Sequence, residues 1–397
     1  MFESIIFRNQ RKFNVNEPID IEALYEALLF YGSVTVIADK SILKQLIGIF
    51  GHDGLLELVQ DEFLHIEYLN NNTGIHTQNS GSSNELHSPV TFNSPVLDLD
   101  NVAFELFRES TGKQGKGRRL ATRFIKNVSE VDFEIDITKQ LISDLAEASY
   151  VEDAVRRILS FYTPEYGNMF DIKFHVTKEG DGLSVDTNLD FSRLNWIYHT
   201  RVSIKHSSIT PAYLLIHLFN TRCDIHFAST HTSEIATDPI SSAIMDIKYS
   251  ELLKNRGASI NTLTSFKRFV SVDTKNIGVV LACGRRSHKE YLVLLNKSRK
   301  MRNWLHNKEP DIDLIKDYHE AVVSDTWADK LPTKTTRWSI FSGIGLVLDT
   351  AGAGGLGTFA GLGISAVDTF LLDRLIKGWK PNQFISDLKE FTKDVEG

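Results

Sequence analysis

The chain has 397 residues, of which 42% are apolar, 24% charged and 10% aromatic, and this balance excludes a disordered, collagen-like or coiled-coil protein. The length predicts two or three domains and excludes a single small module. With 44 basic and 51 acidic residues, the formal charge is −7, so any contact with nucleic acid has to come from a local basic patch.

Two features bear on where the protein resides. Cys223 and Cys283 are the only cysteines, which excludes a disulfide framework and favours a reducing compartment. Residues 1–8 lack the basic segment and the long apolar core of an export signal. The sequence therefore predicts a cytoplasmic protein.

Residues 1–69 carry the pattern of an N-terminal α/β unit. Apolar residues recur at helical spacing before Gly32, and a β-branched run follows it. The predicted elements are a helix over 19–31, a strand over 34–38, helices over 42–50 and 55–60, and a strand over 63–68. Asp20 and Asp39 each precede a helix and are typical N-caps. The alternative is that they are ligands of a nuclease-like metal site.

A polar segment follows this unit. Residues 70–95 are rich in Asn, Ser, Gly and Thr and have little apolar surface to pack. We therefore expect a flexible polar linker between the N-terminal unit and a central α+β body over 96–336.

In the central body, helical periodicity comes first and strand alternation follows. The predicted helices cover 102–108, 120–126 and 137–161, the last broken near Ser149. Beyond Pro164 the pattern predicts a β-hairpin over 171–177 and 183–188 and a strand over 197–204. Three further helices are marked by N-terminal signals at Thr210-Pro211, at Asp238-Pro239 and at the capping box Ser287–Glu290. The predicted fold is of the mixed α+β class.

One dense basic cluster runs from residue 112 to residue 126. Its cations, the candidates for contact with phosphate or nucleic acid, are Lys113, Lys116, Arg118, Arg119, Arg123 and Lys126. The glycine spacing imitates a P-loop, but Arg118 and Arg119 stand where that motif needs Lys and then Ser or Thr. We expect a solvated, mobile loop, and the functional alternative is contact with RNA, DNA or an acidic partner.

Spacing in the sequence supports no catalytic set. Cys223, His226 and His231 resemble a fragment of a zinc site, but a fourth ligand is not evident. Neither an HExxH metal motif nor a GxSxG nucleophile elbow occurs. The sequence therefore predicts no catalytic residue, no metal site and no cofactor, and a site assembled from distant segments is the open alternative.

The strongest anomaly is a concentration of glycine near the C-terminus. Eight of the 25 glycines fall between Gly343 and Gly363, and part of the pattern around them recurs after 18 residues. We predict a hairpin of two helices, about 339–349 and 358–376, joined by a turn over 351–357. Glycine destabilises a helix by up to about 1 kcal/mol relative to alanine, so close approach of the two backbones has to compensate.

The flanks of this hairpin suggest what it docks against. Between Trp338 and Leu372 only Asp349 and Asp368 are charged, while basic and aromatic residues lie at both ends, as is typical of a membrane interface. The first arm, however, is shorter than the about 20 apolar residues of a full span. The alternatives are a close-packed pair buried in the body or in a dimer contact, and a dinucleotide-binding loop, since residues 352–357 match G-x-G-x-x-G.

Two functional classes follow. In the first, the protein is a non-enzymatic effector or adaptor whose soluble body senses a partner. Its C-terminal hairpin then docks on the inner face of a membrane, on partner helices or on a second copy of the chain. The docking residues are Trp338, Phe341, Gly343, Gly345, Gly361, Gly363 and Trp379. In the second class, the protein is a nucleic-acid-processing or nucleotide-binding component that uses the basic loop 112–126.

Overall fold

A computed structural model describes most of the chain. The described residues are 4–8, 11–12, 15–16, 19–79, 85–93, 97–131, 136–167, 171–231, 233–247, 277–282, 284–306 and 381–392. The chain divides into two compact units, one formed by residues 2–258 and the other by Met1 together with residues 259–397. The boundaries predicted at residues 69 and 95 both fall inside the first unit.

The first unit contains all the described strands and most of the helices. Its strands are β1 (Ser4–Arg8), β2 (Arg11–Lys12), β3 (Val15–Asn16), β4 (Ser33–Ala38), β5 (His65–Leu69), β6 (Asn71–Asn79), β7 (Glu85–Asn93), β8 (Val128–Val131), β9 (Phe174–Glu179), β10 (Gly182–Thr187) and β11 (Glu234–Ala236). Its helices are α1 (Ile21–Phe30), α2 (Lys40–Gln60), α3 (Leu99–Thr111), α4 (Gln114–Ile125), α5 (Asp136–Leu145), α6 (Ala148–Tyr162), α7 (Pro164–Gly167), α8 (Phe191–Arg201), α9 (Pro211–Thr230) and α10, described over 239–247. Parallel and antiparallel sheets with many helices confirm the mixed α+β class.

A five-stranded parallel sheet organises this unit, in the order β11-β1-β4-β5-β8. Strands β1, β4, β5 and β8 follow one another in chain order and are neighbours in the sheet. Because parallel strands are joined by right-handed crossovers, the connecting helices α1 to α4 lie on one face of the sheet. The connection from β8 to β11, on the other side of the sheet order, contains helices α5 to α9. Helix α9 packs against β1 and β11 on the opposite face. Helices therefore cover the sheet on both faces.

The predicted N-terminal elements are confirmed, and both aspartates are helix caps. Asp20 accepts a hydrogen bond from the backbone N–H of Ala23 at 3.0 Å, and Asp39 accepts one from Ile42 at 2.9 Å. The two helices predicted over 42–50 and 55–60 are confirmed as the two halves of α2, which meet at a kink. A residue with φ of +71°, Gly51, produces the kink between its two halves.

The segment predicted to be a flexible linker contains two strands, so that interpretation is wrong for residues 71–79 and 85–93. These strands pair with each other along their whole length, and β7 then pairs with β10 in an antiparallel sheet of order β6-β7-β10-β9. One face of an antiparallel hairpin can be exposed to water, so such strands can form with fewer apolar residues than a strand that is buried on both faces. Thr73 also donates a hydrogen bond to the side-chain oxygen of Asn220 in α9, at 3.2 Å.

The hairpin predicted beyond residue 170 is confirmed as β9 and β10, with a turn at Gly180, whose φ is +58°. The strand predicted over 197–204 is wrong, because residues 191–201 form helix α8. Asp190 caps that helix by accepting from the backbone of Arg193 at 3.1 Å. Leu194 and Tyr198, four residues apart, are its buried positions, which is helical and not strand spacing.

Helix α9 is the central element of the core on its side of the sheet. Thr210 caps it, as predicted, by accepting from the backbone of Tyr213 at 3.2 Å. A buried ion pair joins it to the sheet: the guanidinium of Arg8, at the end of β1, contacts the carboxylate of Asp224 and the backbone carbonyl of Asn220. The second carboxylate oxygen of Asp224 accepts from Thr237 at 2.6 Å. Both charged side chains are thus hydrogen-bonded, as burial requires.

The described part of the second unit is helical: α11 (Ile277–Ala282), α12 (His288–His306) and α13 (Pro381–Thr392). The predicted capping box is confirmed, since the backbone N–H of Ser287 donates to Glu290 at 2.7 Å and that of Glu290 donates to the Ser287 hydroxyl at 3.3 Å. Helices α12 and α13 pack together, and Lys297 forms an ion pair with Asp387 at 2.7 Å. Within the residues described above, no helix has both the length and the apolar composition needed to cross a membrane.

Candidate functional site

The register of the parallel sheet gathers polar side chains at one end of one face. Paired residues in neighbouring parallel strands point to the same side, and so do residues two apart along a strand. The pairs Ser4–Ser33, Thr35–His65 and Glu67–Ser129 therefore share a face. Each of these residues lies at or before the middle of its strand. Four strands thus contribute a hydroxyl, an imidazole or a carboxylate to the same region.

The other half of this face lies under helices and is apolar apart from Arg8, which pairs with Asp224. Ile6, Ile37 and Ile235 point to the same side as the polar residues and are buried in the core that contains α5, α6 and α9. Leu69 and Val131 pack against that core as well. The change from polar to apolar along the strands therefore coincides with the edge of the helical cover.

His231, at the C-terminal end of α9, lies next to these polar residues. It is the C-cap of the helix, and its backbone N–H donates to the carbonyl of Phe227 at 3.1 Å. Its ring Nε2 lies 2.9 Å from Oε2 of Glu67, and the two side chains are 24% and 19% exposed. Burial raises the pKa of the Glu67 carboxyl, while His231 and His65 oppose that rise by favouring the carboxylate.

An open cavity of about 620 Å³ lies over these residues. Lys126 and Asn127, which join α4 to β8, also line it. We call this cavity the polar groove; the side chains used below are Ser4, Ser33, His65, Glu67, Lys126 and His231. Polar hydrogen-bonding groups around an accessible space are the usual composition of a ligand site.

The basic cluster next to the groove is mostly helix: the helix predicted over 120–126 is confirmed as the second half of α4, and the prediction of a loop is wrong for residues 114–119. Gly112, with φ of +64°, ends α3, and α4 begins two residues later. Gly117 packs directly on α3: a Cβ built there would lie 2.7 Å from Cα of Arg108. Gly112 therefore serves a tight turn and Gly117 a close helix contact, not a phosphate cradle.

Four of the six candidate cations form one solvent-facing surface, which we call the basic face: Arg118, Arg119, Arg123 and Lys126. An α-helix turns about 100° per residue, so these four lie within an arc of about 140°. The opposite side of α4, with Leu120 and Phe124, is buried. Since Lys126 also lines the polar groove, the basic face is continuous with the groove.

The other two candidate cations have different environments. Lys116 turns toward α2, where its Nζ lies 2.9 Å from Nε2 of His52 and 3.6 Å from Asp53. Lys113 is exposed at the N-cap of α4. On the basic face, Arg123 donates to the neutral side chain of Gln60 at 2.8 Å. Among the residues the structure describes, no carboxylate forms an ion pair with any of the four cations of the basic face, so their charge is uncompensated locally.

The other sequence candidates do not assemble into a site. Cys223 is buried within α9, where burial raises its thiol pKa to about 12, and His231 bonds to Glu67 instead. Within the described ranges, no three His, Cys, Asp or Glu side chains are arranged to hold a metal ion. The seven predicted docking residues of the glycine-rich hairpin, from Trp338 to Trp379, lie outside the described residues, as does the segment 352–357.

Comparison with known proteins identifies no family for this chain. Models of protein families, curated proteins and solved structures all gave no match. The function is therefore inferred from the chemistry of the basic face and the polar groove.

Proposed function

We propose that the first unit binds nucleic acid through the basic face of α4. The single observation that carries this proposal is that Arg118, Arg119, Arg123 and Lys126 share one exposed face with no acidic partner among the described residues. Nucleic-acid backbones attract such surfaces because binding releases condensed counterions. The overall charge of −7 makes the contact local, and Lys126 directs a bound strand toward the polar groove.

The test is the salt dependence of binding. Fluorescence anisotropy with labelled single-stranded RNA and DNA would be measured for the full chain between about 50 and 200 mM salt. Replacing Arg118 and Arg119 with alanine removes two cations that would each neutralise a phosphate. For single strands, the slope of log K against log salt should fall by about 0.7 for each phosphate that is no longer neutralised.

A matched control separates the basic face from overall charge. The double variant of Arg157→Ala on α6 and Lys205→Ala beyond α8 removes the same number of exposed cations elsewhere. Its salt slope should equal that of the unchanged protein. Equal effects of the two double variants, or no binding at about 50 mM salt, would refute the proposal.

The sequence supports a second candidate function, in which the glycine-rich segment docks on a membrane surface, on partner helices or on a second copy of the chain. The supporting observation is its composition: eight glycines between Gly343 and Gly363, with basic and aromatic flanks. In this role the protein is an effector or adaptor at the inner face of the membrane, and its soluble body senses the partner.

Flotation with phosphatidylglycerol–phosphatidylethanolamine vesicles tests the membrane form of this proposal. The comparison variant replaces residues 339–376 with a Gly-Ser linker of equal length and so keeps α13, which packs on α12. Loss of flotation in that variant is the expected result. If both proteins float equally, the hairpin does not dock on lipid. Light scattering of the same pair tests self-association.

A further inference from the structure

The polar groove brings polar side chains of several strands together around one open cavity. A parallel sheet covered by helices on both faces normally carries apolar residues along its strands. The half of this face that lies under α9 has Ile6, Ile37 and Ile235 buried, and its one charged residue, Arg8, is paired with Asp224. The other half carries Ser33, His65 and Glu67 at equivalent positions. These polar groups line an accessible cavity together with Lys126 and His231, which is the composition of a ligand site.

Three proton-bearing or cationic groups reach the groove from three different elements. His65 is the first residue of β5, His231 caps α9 and Lys126 caps α4. All three line the same cavity. The side chains of His65 and Lys126 are exposed, and His231 is 24% exposed. A ligand in the groove can therefore contact all three.

Glu67 holds one of the imidazoles in place. It shares the strand face of His65, and its carboxylate is 2.9 Å from Nε2 of His231. The backbone of His231 is fixed as well, because its N–H is bonded to the end of α9. A histidine oriented by a carboxylate, with a second histidine lining the same cavity, is an arrangement suited to general acid–base catalysis.

We infer that the polar groove cleaves single-stranded RNA by transfer of the phosphodiester to the neighbouring 2′-oxygen. This inference rests on the nucleic-acid binding proposed for the basic face. In the step, neutral His65 takes the proton of the 2′-hydroxyl, and the 2′-oxygen forms a bond to phosphorus. The bond from phosphorus to the 5′-oxygen breaks, and protonated His231 donates a proton to that leaving oxygen. The products are a 2′,3′-cyclic phosphate and a 5′-hydroxyl end.

The remaining groups have defined parts in this step. Lys126 contacts the non-bridging phosphate oxygens, where negative charge develops. Glu67 is a positioning residue, because it acts through His231. DNA binds to the basic face but is not cut, since it has no 2′-hydroxyl to attack phosphorus.

The experiment incubates the full chain with a fluorescent single-stranded RNA and with a DNA of the same sequence, in buffer containing EDTA. We expect RNA fragments that end in a cyclic phosphate and intact DNA. The variants His65→Ala and His231→Ala should each lower the cleavage rate by about 10²–10⁴-fold. An RNA with a 2′-O-methyl group at one position should resist cleavage at that position only.

Two further measurements separate catalysis from folding. Circular dichroism checks that each variant is folded, and added imidazole should restore part of the rate of His65→Ala, which a purely structural role would not allow. Glu67→Gln should lower kcat with little change in KM. An arginine exposed on α6, Arg157, provides a control variant, Arg157→Ala, with unchanged cleavage.

The outcomes distinguish this inference from the binding proposal. If the chain binds RNA and DNA but leaves RNA intact, the inference is overturned and the binding proposal stands. Cleavage that persists in both histidine variants also overturns it, because the activity then arises elsewhere. If neither nucleic acid binds, the binding proposal fails, and the inference fails with it.

Discussion

Replacing Gly117 with alanine tests the close packing that holds the basic helix on its neighbour. A Cβ at this position would lie 2.7 Å from Cα and 2.8 Å from the backbone nitrogen of Arg108. Carbon atoms in proteins rest about 3.5–4.0 Å apart, so α4 has to move away from α3 by roughly 1 Å. Overpacking of this kind destabilises proteins by about 1–3 kcal/mol.

Gly115 provides the matched control, because it lies two residues away in the same helix and a Cβ there meets nothing within 4 Å. Alanine at Gly115 should stabilise the helix by about 0.5 kcal/mol. Alanine at Gly117 has the same advantage in helix propensity but pushes the two helices apart, which leaves a net destabilisation of about 0.5–2.5 kcal/mol.

Thermal unfolding of the full chain, followed by circular dichroism, measures the difference. At about 2–4 °C per kcal/mol for a unit of this size, Gly117→Ala should lower Tm by about 1–10 °C, and Gly115→Ala should raise it by about 1–2 °C. If Gly117→Ala is as stable as Gly115→Ala, the two helices are not in backbone contact at this point.

Three further predictions concern other interactions. Asp224→Ala leaves the Arg8 guanidinium buried without its carboxylate and should lower the free energy of unfolding by about 3–5 kcal/mol; a urea midpoint within error of the unchanged protein would contradict this. Burial raises the pKa of Glu67 in the folded protein above its ordinary value of 4.5. Above the folded-state pKa the charged carboxylate therefore destabilises the fold, and this destabilisation disappears as the pH falls to about 4.5. Glu67→Gln should therefore have a higher Tm than the unchanged protein near neutral pH, with a difference that vanishes in acid; a constant difference would show that the charge is not responsible. Ser287→Ala removes one half of the capping box and should destabilise the start of α12 by about 1 kcal/mol, seen as faster amide exchange in its first turn, whereas Ser287→Thr keeps the slow exchange.

Local signals in the sequence predicted the local structure well. Asp20, Asp39, Thr210 and Ser287 each precede a helix and each accept a backbone hydrogen bond from its first turn. An N-cap can be predicted from sequence because its side chain bonds to a backbone N–H only two or three residues further along the chain. The fold class followed from such elements taken together.

The errors arose where tertiary partners decide the structure. Residues 71–79 and 85–93 are too polar to suggest strands, and they form strands because each finds a partner along its full length. The start of the basic segment, residues 112–119, has low helix propensity at its glycines, but burial of Leu120 and Phe124 against the neighbouring helices stabilises α4 from residue 114 onward. Propensity is a weak guide where packing supplies the stabilisation.

The polar groove could not be predicted from the sequence, because its residues come from four separate strands and two helix ends. One signal was present: Ser33 and His65 each open a strand whose following residues are largely apolar. That signal is too weak to group them, since the pairing of Thr35 with His65 and of Glu67 with Ser129 depends on register. Register is a property of the folded sheet.

The position of β1 has a consequence for how this protein is made in a cell. One edge of β1 can pair with β4 as soon as that nearby strand has been synthesised. The other edge waits for β11, and Ser4 and Ser233 lie 229 positions apart. At about 5–20 residues per second, a ribosome needs about 10–50 s to supply the missing strand. During that interval the nascent chain presents an unpaired strand edge, which is a template for aggregation. Lower chaperone levels should therefore reduce the soluble yield of this protein more than that of a protein whose sheet is completed by neighbouring segments.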